Sequence, residues 1–164
     1  MSCNTLHPES MPYPTICLVL LVLLGTSCKD PTAPEPVRSV VSCTQPNGQL
    51  IQCDLLLEER GGFTITLTSR ECQAQGNTLT LTKPTEQVLS DDACTALVGG
   101  KWRFPGPYPV GTPVSLAIVS AKQRNPPSLL ATGSYPRWTL TFEDGEDRDF
   151  NDLVLRLEAN PSSP

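Results

Sequence analysis

Ten consecutive residues, Glu143 to Asp152, carry the most concentrated chemistry in this chain. They hold six acids, Glu143, Asp144, Glu146, Asp147, Asp149 and Asp152, against one base, Arg148. Two unit charges about 4 Å apart repel by roughly 4 kcal/mol at an effective dielectric of 20. A short segment with this many carboxylates therefore needs full solvation or a cation. Asp147, Asp149 and Asn151 alternate in the spacing that oxygen ligands take in calcium-wrapping loops, where hard oxygens from a flexible backbone surround the ion. An EF-hand is excluded even though Glu158 falls at the twelfth place. Its sixth place is Asp152 where glycine is required, and no helix pattern follows. The alternative is a solvated acidic hairpin in which Asp and Asn make only turn contacts.

The flanking residues show what must position this loop. Trp138, Leu140 and Phe142 alternate with Arg137, Thr139, Thr141 and Glu143, and Leu153, Leu155 and Leu157 alternate with Val154, Arg156 and Glu158. Period-two alternation predicts two strands, each with one face in a core and joined by the acidic loop. The acidity is local. Residues 1–27 contain one acid and no Lys or Arg, so the chain from Cys28 onward has 12 bases and 16 acids, a net of −4. The loop alone is −5, which leaves +1 for everything else in that portion.

The run Phe142-Glu143-Asp144, followed by Asp147-Arg148-Asp149-Phe150-Asn151-Asp152-Leu153-Val154, resembles a motif near the C-terminus of exported bacterial β-sandwich domains in adhesin-like or matrix proteins. Its form is Phe-x-Asp, a short spacer, then Asp-x-Asp-(Phe/Tyr)-Asn-Asp-Leu-Val. The resemblance is confined to this short run and implies a calcium-binding, non-enzymatic domain. The ligand candidates it carries over are Asp144, Asp147, Asp149, Asn151 and Asp152.

At the other end, Ile16 to Leu24 is an unbroken apolar run of nine residues. A membrane-spanning helix needs about 20, whereas this length suits a signal-peptide core. Gly25-Thr26-Ser27-Cys28 then resembles the processing site of a bacterial lipoprotein, which implies that residues 1–27 are removed and Cys28 becomes lipidated. Simple secretory cleavage near Ser27, giving a soluble periplasmic or secreted protein, is the alternative. Residues 28–36 read as the lipidated cysteine and a proline-rich tether extending roughly 3 Å per residue. Lys29 rather than Asp follows Cys28, and by resemblance to lipoprotein sorting signals this implies the outer membrane.

Residues 37–160 are expected to form one domain, followed by a tail over 161–164. Cys43, Cys53, Cys72 and Cys94 remain once Cys28 is assigned to lipid, and an even count in an exported chain predicts two disulfides. Pro46-Asn47-Gly48 marks a turn between 37–43 and 49–56. A bridge across that hairpin, Cys43 to Cys53 with the two directly opposed, leaves Cys72 for Cys94. A bridge between an early and a late cysteine is the rival. Gly61-Gly62 marks a turn, residues 63–69 and 77–82 alternate threonines with apolar residues, residues 85–100 read as irregular or briefly helical, and 101–104 as a short strand. Residues 105–109 read as a loop and 113–121 as a buried strand. Seven to nine short strands with Pro/Gly-rich turns predict an all-β antiparallel β-sandwich of jelly-roll or immunoglobulin-like type.

Composition excludes several functions. The single histidine, His7, lies in the leader, which removes Ser-His-Asp and Cys-His catalysis from the domain. Glycoside hydrolysis needs carboxylates across a cleft, whereas these share one hairpin, so a hydrolase ranks third. A carbohydrate-binding module ranks second, with Trp102 and Tyr108 as sugar-stacking candidates. The net charge of −4 and the lack of a basic run argue against nucleic acid. The leading expectation is a non-enzymatic, membrane-anchored surface lipoprotein that binds calcium and engages a surface protein or polysaccharide.

Overall fold

The chain divides into two units, Met1–Ala33 and Pro34–Pro164. The computed structural model describes residues 37–38, 41–44, 50–72, 75–120, 127–144 and 148–162, all in the second unit. Cys28, Asp147 and the Pro46-Asn47-Gly48 turn lie outside the described residues.

Twelve strands account for most of the described residues: β1 (Val37–Arg38), β2 (Val41–Thr44), β3 (Leu50–Gln52), β4 (Leu55–Leu56), β5 (Gly61–Arg70), β6 (Asn77–Lys83), β7 (Gln87–Ser90), β8 (Lys101–Tyr108), β9 (Pro113–Ser120), β10 (Ser128–Ser134), β11 (Arg137–Glu143) and β12 (Leu153–Pro161). No helix occurs among the described residues. The larger sheet has the order β3-β2-β10-β11-β12-β5-β8. The smaller has β1-β9-β6-β7, with β4 also pairing β9. All pairings are antiparallel except β2 with β10. The two sheets pack face to face as a sandwich. Phe63, Ile65, Leu67, Leu140, Phe142, Leu153, Leu155 and Leu157 come from the larger sheet, and Leu79, Leu81, Val114, Leu116 and Ile118 from the smaller, all buried in one core.

The alternation read around the acidic loop holds. β11 and β12 pair from Arg137↔Glu158 to Phe142↔Leu153, and Trp138, Leu140, Phe142, Leu153, Leu155 and Leu157 are all buried. β12 sits between β11 and β5 in the interior of the larger sheet. Truncating Leu155, which is fully buried, would cost about 2–5 kcal/mol.

Both predicted disulfides are present, Cys43–Cys53 and Cys72–Cys94. The first pair is not directly opposed. Cys43 stands across from Ile51, and Cys53 lies beyond the strand, its N–H donating to Val41 O at 3.0 Å. The bridge is therefore diagonal, with Cα atoms 5.2 Å apart. The expected strand over 49–56 is instead two, because the chain leaves β3 in the larger sheet and enters β4 in the smaller. A sandwich corner interrupts a continuous run in this way.

Three other segments differ from expectation. Residues 87–90 form β7, the edge of the smaller sheet, where the sequence suggested irregular or helical chain. β8 continues through Pro105, Gly106 and Pro107, read above as a loop. It is an edge strand, where a proline without an N–H costs no ladder bond, and its register with β5 shifts between Gly61 and Phe63. That approach explains Gly62, which sits inside β5 rather than in a turn. A Cβ there would meet Phe104 O at 2.3 Å. β10, unread in the sequence, buries Leu129 and Ala131 against the core.

Candidate metal centre

Four short segments meet at one end of the sandwich: the 143–152 loop, the end of β5, the start of β6, and the turn after β7. The strand register dictates this. Phe142↔Leu153 closes the β11–β12 ladder, and Leu153 also faces Arg70 at the end of β5. From there Glu71 N–H donates to Asp152 O at 2.9 Å, and Cys72 Sγ lies 3.0 Å from the same oxygen. Cys72 is bridged to Cys94 and carries no thiol proton, so that second approach is a close S···O contact rather than a hydrogen bond.

Glu143, Asp144 and Asp152 are buried here, with Asp152 only 2 % exposed. Asp144 N–H donates to Asp152 Oδ2 at 2.6 Å. Asp144 Oδ2 accepts from Asn77 Nδ2 at 3.0 Å, a contact that ties the hairpin to the smaller sheet. Glu143 Oε2 accepts from Phe150 N–H at 3.0 Å. The intervening backbone is bent hard: Arg148 and Phe150 take φ of 57° and 54°, a region where non-glycine residues pay about 1–2 kcal/mol each.

Removing Asp152 from water pushes its carboxyl up to about 7. The amide hydrogen bond from Asp144 opposes this, while the neighbouring Asp144 and Glu143 carboxylates reinforce it. No cationic side chain among the described residues figures among the groups acting on it. One further atom is short of a partner. Asn77 is fully buried, and its Oδ1 accepts no hydrogen bond. A buried acceptor left unpaired costs about 1–3 kcal/mol.

The sequence-predicted ligands therefore separate. Asp144 and Asp152 come together in the buried cluster. Asp149 is exposed and Asn151 half-buried, and they bond to one another, Asn151 Nδ2 to Asp149 Oδ2 at 2.7 Å. Two residues outside the predicted set join the cluster, Glu143 and Asn77. The acidity of Glu143 was visible in the sequence, but its burial was not. Asn77 carries no local signal, since its contact spans 67 positions of chain.

The sulfurs of Cys72 and Cys94 lie within 4.8 Å of an Asp144 oxygen. Bonded to each other, they offer no thiolate, which a zinc site requires. What remains is a set of hard oxygens, the buried carboxylates of Asp144 and Asp152 linked through Asp144 N–H, and an unpaired amide carbonyl. That donor chemistry fits a calcium-like dication, which takes six to eight oxygens in flexible geometry.

The sugar-stacking candidates occupy different surroundings. Trp102 is half-buried against the core, and its Nε1–H donates to Leu89 O at 2.8 Å, joining the β8 edge of one sheet to the β7 edge of the other. Tyr108 packs on Phe63 with ring centroids 5.6 Å apart. Both rings spend their area on packing. No family model matches this chain, and no curated protein matches it.

Proposed function

We propose that this protein is an exported, non-enzymatic β-sandwich whose C-terminal hairpin holds a structural calcium ion, anchored by lipid at Cys28 and acting as an interaction or structural module at the outer membrane or cell surface. The observation that carries the calcium reading is the burial together of Asp144 and Asp152, joined by the hydrogen bond from Asp144 N–H to Asp152 Oδ2, beside the unpaired Asn77 Oδ1. A dication there would turn mutual repulsion into ligation. Asp144, Asp152 and Asn77 Oδ1 would hold it. Extracellular calcium at millimolar levels fills even weak sites. Export is supported by the two disulfides, which persist in oxidising compartments. The apolar run before Cys28 supports it independently.

Calorimetric titration of the metal-free protein with calcium tests the reading. One binding event should appear, and Asp144→Asn with Asp152→Asn should abolish it while circular dichroism stays that of a β protein. Absence of binding at millimolar calcium, or binding unchanged in the double variant, would sink it.

A further inference from the structure

The outward face of the larger sheet has a charge opposite to that of the protein as a whole. Pairing across β11, β12, β5 and β8 aligns Thr139, Arg156, Thr66 and Lys101 in one transverse row. The adjacent row aligns Arg137, Glu158, Thr64 and Arg103. These positions alternate with the buried core residues, so all eight side chains leave on the solvent side. The two rows hold four bases and a single acid. That acid is already engaged: Arg137 Nε donates to Glu158 Oε1 at 2.8 Å. Arg137 holds the Glu158 carboxyl below its ordinary range, and Arg156 and Lys101 add to the effect.

Lys101, Arg103 and Arg156 are exposed and form no direct ion pair among the described residues, Glu158 being bonded to Arg137. Strand spacing sets their separations. Arg156 and Lys101 stand about 9.6 Å apart across Thr66, and Lys101 and Arg103 about 6.7 Å apart along β8. Holding like charges in such an array on a chain of net negative charge costs self-repulsion, which a bound polyanion relieves.

We propose that this face binds linear anionic polysaccharide, with Lys101, Arg103 and Arg156 meeting its carboxylate or sulfate groups and the intervening threonines meeting its hydroxyls. The surface suits that class of partner over others. No described element packs over these outward rows, so an extended chain can lie across the strands. Neither row holds an aromatic side chain, which single-stranded nucleic acid uses for base stacking. Neither holds a large apolar side chain to enter a lipid interface. The two disulfides suit an oxidising compartment outside the cytosol, where cell-surface and matrix polysaccharides are within reach. This site is separate from the acidic hairpin and does not require calcium.

The test is retention of the purified full-length protein on immobilised polygalacturonate and dextran sulfate, with neutral dextran, duplex DNA and phosphatidylglycerol vesicles as comparison probes. Chelator is present throughout, so that calcium cannot bridge protein and glycan and failure of the calcium reading leaves this result unaffected. The acidic glycans should retain the protein at low ionic strength and release it as salt rises past about 0.15 M, where screening shortens to ~8 Å. Neutral dextran should not retain it. Arg103→Glu with Arg156→Glu should weaken binding at least about tenfold and flatten the dependence of log affinity on log salt by roughly one per base removed. Arg103→Gln with Arg156→Gln, checked for an unchanged thermal midpoint, separates loss of charge from loss of fold. No retention at low salt, or retention of both double variants as strong as that of the wild type, overturns the proposal. Tighter binding to duplex DNA or to vesicles than to the acidic glycans also overturns it and reassigns the face.

Discussion

The buried Asp152 carboxyl makes the stability of the metal-free domain depend on pH in an unusual direction. Its value in the fold is about 7, against 3.8 for the ordinary group. The folded state therefore keeps a proton that the unfolded chain has released. That contribution to stability is complete below the unfolded value and is lost as pH rises through about 7. The range from pH 5 to pH 7 isolates it, because the unit Pro34–Pro164 contains no histidine and ordinary carboxylates are already ionised there. Linkage across that interval gives a loss of about 2 kcal/mol. A domain of this size shifts roughly 3–5 °C per kcal/mol, so the thermal midpoint in chelator should fall by ~8 °C between pH 5 and pH 7. Calcium should reverse the trend, because ligation favours the ionised form and grows stronger as the proton leaves. A hundredfold excess over Kd restores about 2.7 kcal/mol. Asp152→Asn keeps an oxygen to accept from Asp144 N–H but cannot ionise. Its midpoint should be flat over the same pH range, at least equal to wild type at pH 7 in chelator, and insensitive to calcium. The assay is differential scanning fluorimetry at fixed ionic strength. A wild-type midpoint that is level or rising from pH 5 to pH 7 in chelator would refute the reasoning, as would a slope that survives in the variant.

Three further outcomes are expected. Trp102→Phe should lower stability by about 1 kcal/mol, the usual worth of a neutral hydrogen bond, with little change in packing. A denaturant midpoint unchanged from wild type would mean that the indole bond to Leu89 O contributes nothing. Mass mapping without reduction should recover Cys43 linked to Cys53 and Cys72 linked to Cys94, and loss of either bridge should cost roughly 2–5 kcal/mol. Cys28→Ser should move the protein from the membrane fraction to the soluble one, and a wild-type protein that is already soluble and lipid-free at Cys28 would contradict the anchoring proposal.

Local pattern was enough for part of this architecture. Alternation in 63–69, 77–82, 137–143 and 153–158 carries its own burial instruction, because successive side chains in a strand must point to opposite faces, and the apolar run 113–121 reads as a buried strand. Those segments became β5, β6, β9, β11 and β12 with the predicted residues inside. Segments whose structure depends on their place in the sheet were not legible. The prolines of β8 read as loop because nothing in the local sequence says that the strand is an edge. Gly62 read as a turn because the carbonyl it accommodates, Phe104 O, lies 42 positions away.

The same division runs through the candidate site. The sequence by itself determined that six carboxylates crowd into ten residues between two strands, since charge and alternation are properties of neighbours. Only the tertiary structure decided which of them lose water. Packing the hairpin against β6 and the Cys72–Cys94 bridge buries Glu143, Asp144 and Asp152 and leaves Asp149 in solvent. It also brings Asn77 from the other sheet to Asp144. Desolvation and long-range contact are properties of a folded surface, and residue spacing along a chain does not encode them.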